Sequence, residues 1–113
     1  MFDDPNAVPT RIGFLLIRNF SMMAFTSAVE PLRSANRMAG RTLYEWQIFS
    51  PDGKPVAASN GIEVVPHKAM AEVDREKIVV VVTGIDVQRY EDERILGFLR
   101  RMARQGAIMG ALC

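Results

Sequence analysis

At 113 residues the chain has room for one domain at most. Hydrophobic residues make up 49% and charged residues 24%, with a net charge of +1, so the composition is globular and bulk charge supplies no pull toward nucleic acid or an anionic membrane. One cysteine excludes an internal disulfide, one cysteine with one histidine excludes a zinc site, and no apolar run approaches the ~20 residues that span a bilayer.

The opening stretch MFDDPNAVPT is acidic and proline-bearing, unlike a secretory or transit peptide. A cytoplasmic protein is expected, with residues 1–10 as a tail, residues 11–113 as the domain, and neither cofactor nor structural metal. In RIGFLLIRN, residues 11–19, the apolar run Ile12 to Ile17 suits a short strand buried on both faces. Residues 20–40 are poor in β-branched side chains and end on Gly40, a natural helix C-cap. Pro31 disfavours an undistorted helix interior, and Ser27 with Glu30 has capping-box spacing. This predicts a regular helix from Ser27, with residues 20–26 in a turn or a separate helical piece. Glu30 could equally contact a ligand. Met22, Met23, Phe25 and Met38 are better read as core than as pocket lining.

Residues 42–50, TLYEWQIFS, alternate like a strand. PDGK and SNG are turn signals around PVAA and IEVV, which predicts a small hairpin or strand excursion between residues 55 and 65. HKAMAEV suggests a short helix, with His67 in a surface loop. KIVVVVTG, residues 77–84, carries five β-branched aliphatic residues in a row and reads as a central strand ended by Gly84. Residues 91–106 are amphipathic, with Ile95, Phe98, Leu99, Met102 and Ala103 on one face. Acidic residues lead this helix. Arg100, Arg101 and Arg104 trail it, which favours the helix dipole and reads as a solvated face rather than a phosphate site. AIMGALC is the next strand.

Strand, helix, strand, strand, helix, strand is the order of a parallel α/β sheet with right-handed crossovers. Ligands of such sheets sit beyond the carboxyl ends of the strands. Three places map there: Asn19 and Phe20, Gly84 and Ile85, and Cys113. A cysteine at such a strand end stands where a nucleophile elbow belongs. A following helix would make its thiol more acidic and the turn would present backbone N–H groups. By spacing alone, a lone cysteine on an apolar strand is more often a small buried hydrophobe.

IGFLLIRNFSMMAFTSAVEPLRSANRMAG, SPDGKPVAASNGIEVVP and RRMARQGAIMGALC, taken in order, resemble the GlxA-type branch of the AraC transcription regulators. The likeness runs from Ile12 to Cys113. It implies a flavodoxin-like, class I glutamine-amidotransferase-like α/β fold of the ThiJ/PfpI kind, with this chain as its N-terminal half. Cys113 then takes the elbow position, the sensor domain continues about as far again, and a helix-turn-helix domain follows. The resemblance further implies a small-molecule effector that is amino-acid-derived or a quaternary amine, and DNA as a partner through that later domain. It also implies a homodimer and no membrane contact. The ThiJ/PfpI enzymes pair the elbow cysteine with an acid early in the first helix region, and this sequence has Ala24 there, so no catalytic residue is expected. The alternative is a ThiJ/PfpI-like cysteine enzyme, an amidase or glyoxalase-like.

Overall fold

A computed structural model describes residues 7–84 and 92–113. Five parallel strands form the main sheet: β1 (Thr10–Leu16), β2 (Tyr44–Ser50), β5 (Lys68–Ala69), β6 (Ile78–Val82) and β7 (Ile108–Leu112). Their spatial order is β5-β2-β1-β6-β7, so the first strand made is the middle one. β1 matches Phe14 to Ile48 of β2 on one side and to Val80 of β6 on the other. The α/β parallel sheet expected from the element order is the one observed. Between β2 and β5, β3 (Val56–Ala57) and β4 (Glu63–Val64) form the expected antiparallel hairpin, with Val56 opposite Val64.

Alternation along the strands divides the core. Leu15, Ile17, Phe49, Val79 and Val81 face α2 (Glu93–Arg104) and pack with its Ile95, Phe98 and Met102. Phe14, Leu16, Ile48 and Val82 face the other way, where Phe25 of α1 (Met22–Ala39) meets them. A strand buried on both faces needs apolar residues at consecutive positions, which is why the runs in β1 and β6 are unbroken. Phe49 and Phe98 meet edge to face, centroids 6.3 Å apart.

The first helix differs from its expected form. It starts at Met22 and runs unbroken to Ala39. Ser21, not Ser27, is the N-cap, its Oγ accepting from the Ala24 N–H at 3.1 Å. Ser27 and Pro31 are both exposed, so the Ser27 carbonyl that loses its donor to proline is left to water rather than buried. Glu30 closes no capping box. It binds Arg33 at 2.6 and 3.3 Å on the exposed face. Gly40 does end the helix, at φ 68°, the left-handed region. Met23 and Met38 are 79% and 88% exposed and so are not core, whereas Phe25 is buried.

α2 matches its amphipathic reading at Ile95, Phe98 and Met102, but Ala103 is exposed. Asp92 caps it by accepting from the Arg94 N–H at 2.9 Å. Arg100 and Arg104 are solvated. Arg101 instead lies 5.6 Å from the Phe98 ring centroid and reaches the Met70 carbonyl. HKAMAEV yields β5 and a single 3₁₀ turn, Met70–Glu72, in place of a helix. His67 is exposed as expected, yet it is tied to β2: its N–H donates to the Ile48 carbonyl and its Nδ1 accepts from the Ile48 N–H, both at 2.8 Å. Among the described residues, no helix is long and apolar enough to cross a membrane.

Candidate functional site

At the carboxyl end of the sheet the backbone of β1 crosses toward β6 and the hairpin. Ile17 still pairs with β6, its N–H donating to the Val82 carbonyl at 3.2 Å. Asn19 then adopts φ 64°, and its N–H donates to the Ala57 carbonyl at 2.7 Å. Phe20 forms bridges with both Ala58 and Gly84, and the Ser21 N–H donates to the Thr83 carbonyl at 3.0 Å. A Cβ at position 84 would overlap the Asn19 carbonyl oxygen and lie 3.0 Å from the Ser21 nitrogen. Glycine is therefore what lets the chain after β6 approach the chain after β1.

Three of the residues expected at the strand rim, Asn19, Phe20 and Gly84, thus meet through their backbones. The Phe20 ring is 0% exposed and packs edge-on against Phe25 at 6.0 Å, so what Phe20 presents at the rim is main chain. Cys113 is linked to the same corner: the Thr83 N–H and Oγ1 both reach the Leu112 carbonyl, at 2.9 and 3.3 Å. Its thiol forms no disulfide. Ile85 lies outside the described residues. Ala24, at the start of α1, offers no carboxylate, and its N–H is taken by Ser21.

Beside this corner, on the α2 side of the sheet, opens a cleft of ≈ 660 Å³ lined by Ile17, Arg18, Ser50, Asp52, Val56 and Asp92 among others. Ser50 is buried, and its hydroxyl donates to the Lys54 carbonyl at 2.9 Å. The Lys54 N–H donates to Asp52 at 3.0 Å and is the main reason the Asp52 carboxyl is held below its ordinary value. Asp92 is held low chiefly by the Arg94 guanidinium, 2.9 Å away. Both carboxylates stay ionised near neutral pH, so they suit ligand positioning and not proton donation. Sequence reasoning missed Arg18, Ser50 and Asp52. The strand-rim rule, applied to the end of β2 and its PDGK turn, would have found the last two. No group of three or more His, Cys, Asp or Glu side chains that could hold a metal occurs among the described residues.

This arrangement has relatives. HTH-type transcriptional regulator GbdR of Pseudomonas aeruginosa is 42% identical over 108 residues, covering 96% of this chain and 29% of its own length. HTH-type transcriptional regulator GlxA of Rhizobium meliloti is 40% identical over 103 residues, covering 90% of this chain and 32% of its own. Over this stretch the chain is homologous to these HTH-type transcriptional regulators. It spans about three-tenths of the length of the curated relatives it matches.

A crystal structure of an AraC family transcriptional regulator from Pseudomonas putida superimposes with a TM-score of 0.80 at 27% identity, covering 91% of this chain and 55% of that one. A ThiJ/PfpI family protein from Pseudomonas syringae gives a TM-score of 0.72 at 17% identity, covering 94% of this chain and 43% of that one, which fixes the shared fold. No family model matches the chain. These relatives are named as transcriptional regulators, while the ThiJ/PfpI fold extends beyond them.

Proposed function

We propose that this chain is part of the effector-sensing domain of an AraC-type transcriptional regulator. It binds a small metabolite beyond the carboxyl ends of its parallel strands and passes that state to a DNA-binding helix-turn-helix domain. The observation that carries this reading is the 42% identity, over 96% of the chain, to a protein named as an HTH-type transcriptional regulator. The effector is an amino-acid-derived compound or a quaternary amine, and the rim formed by Asn19, Phe20, Gly84 and Cys113, with the adjoining cleft, receives it. The regulator acts as a homodimer in the cytoplasm, two copies presenting two DNA readers at a fixed spacing.

A cysteine hydrolase or glyoxalase-like enzyme is the competing reading, and the Cys113 thiol is its support. Against it stands Ala24, which cannot manage a proton. Calorimetric titration of the full-length protein with arginine, glycine betaine and carnitine, beside amide-hydrolysis and dicarbonyl-hydration assays, separates the two. Saturable binding without turnover is expected. Steady-state turnover abolished by Cys113→Ser would overturn the sensor reading.

A further inference from the structure

β5 pairs only with the last two residues of β2, Phe49 and Ser50, so among the described residues no strand flanks the earlier part of that outer edge. A strand turns the N–H and C=O of successive residues to alternate edges. The Leu43 carbonyl faces β1, accepting from the Thr10 N–H at 2.9 Å, so Tyr44, Trp46 and Ile48 face outward. Two of these three are already engaged, each by a side chain. The Asn36 amide takes both main-chain groups of Tyr44, at 2.9 Å each. At Ile48 the carbonyl accepts from the His67 N–H, and the N–H donates to His67 Nδ1, both at 2.8 Å. In an unbroken parallel ladder the acceptor for that N–H would be the Val65 carbonyl. Val65 instead follows β4 of the hairpin, and the imidazole stands in for it. Trp46 is left between two satisfied neighbours.

We propose that Asn36 and His67 together close the outer edge of β2 to strand addition, so that a second copy of this protein cannot pair there. An open strand edge is a template for the same edge of another copy. A strand holds when at least about three residues pair, and this edge offers one. A strand arriving here must displace the Asn36 amide at Tyr44 or the His67 ring at Ile48. Each of these is tied to its site by its own backbone, so it returns faster than a strand from solution can settle. The closure rests on bonds already made at Tyr44 and Ile48, and it does not depend on the effector reading.

Sedimentation velocity and amide hydrogen exchange on the full-length protein test this. Asn36→Ala opens the Tyr44 end, His67→Leu the Ile48 end, and the double variant the whole edge between them. His67→Asn is the control, because its Oδ1 restores an acceptor near the place of Nδ1. At roughly tens of micromolar the double variant is expected to form species larger than the parent's, the single variants fewer of them, and His67→Asn none. In the associating variants the Trp46 amide should exchange several-fold more slowly as concentration rises, because a bond between copies then covers it. Should the double variant not fold, the single variants decide by the same readings, and a single variant that cannot fold assigns its side chain to the fold alone and overturns the proposal. Folded variants that all sediment as the parent does, association of His67→Asn equal to that of His67→Leu, or association that leaves Trp46 exchange unchanged would each overturn it as well.

Discussion

Asn36 grips Tyr44 through both ends of its side-chain amide: Oδ1 accepts from the Tyr44 N–H and Nδ2 donates to the Tyr44 carbonyl, each at 2.9 Å. The same Oδ1 accepts from the Leu43 N–H at 2.7 Å. One side chain in the last turns of α1 therefore sets where β2 begins, and through β2 the register of the sheet. Asn36→Ala leaves these main-chain groups without their partners and is expected to cost about 2 kcal/mol. Asn36→Asp keeps the acceptor but loses the donor and should cost less. Urea melts of the two variants beside the parent check the order.

Three glycines should respond to alanine in three different ways. Gly84→Ala drives a methyl into the Asn19 carbonyl and is expected to destabilise by about 3 kcal/mol or more, or to prevent folding. Gly110→Ala meets only a Val80 methyl at 3.7 Å and should stay within about 0.5 kcal/mol of the parent. Gly97 lies in α2 with nothing near its missing Cβ, so Gly97→Ala should stabilise by about 0.5–1 kcal/mol. Equal melting temperatures for the three variants would contradict the close backbone approach at the rim.

Glu76 gives the fold a pH signature. Burial raises its carboxyl above the ordinary value, and Arg11 and Lys68 only partly oppose this. A folded state that holds its proton more tightly than the unfolded one gains stability below the unfolded pKa and loses it as pH rises through the folded pKa. Glu76→Gln removes that loss. The variant should therefore gain on the parent as pH rises through the window that opens at the ordinary glutamate range near 4.3. A difference in unfolding free energy that stays flat across this window would refute the assignment.

Cys113, which follows the last residue of β7 at the carboxyl end of the sheet, is expected to matter for the pocket and not for the fold. In the full-length protein, Cys113→Ser is expected to keep the melting temperature within a few degrees, as a change of about 0.5 kcal/mol would, and to alter effector response modestly. Cys113→Phe should abolish the response with the fold retained. Reporter transcription and thermal melts together distinguish the two outcomes.

The parts of the fold that sequence made legible are those with redundant signals. β6 has five β-branched residues in a row, α2 has matched caps and charges, and the hairpin has a turn signal at each end. The start of α1 was obscured because Ser21 and Ser27 are both good caps and Pro31 argued for the later one. A proline costs about 3 kcal/mol in a helix interior, yet the exposed placement of Pro31 and the buried anchor Phe25 let the helix run through it. Met23 and Met38 misled because composition does not say which face of a helix is covered. At the carboxyl ends of the strands, the rim rule pointed to the corner where the Asn19, Phe20 and Gly84 backbones meet, while the placing of Arg18, Ser50 and Asp52 depends on how the turn after β2 folds back. Asn36 carries no local mark: its partners lie seven and eight residues ahead, across a helix end.

The central position of β1 has a consequence for biosynthesis. Leu16 leaves the ribosome well before Val82, its partner in β6. At roughly 5–20 residues per second the intervening stretch takes several seconds to make. Once β2 has emerged, one edge of β1 is satisfied by it and the other is unclaimed until β6 is made. The nascent chain thus offers chaperones, or another nascent copy, a template that disappears once β6 arrives. A slower stretch of translation between β2 and β6 would lengthen the exposure and lower the folded yield without altering a single residue.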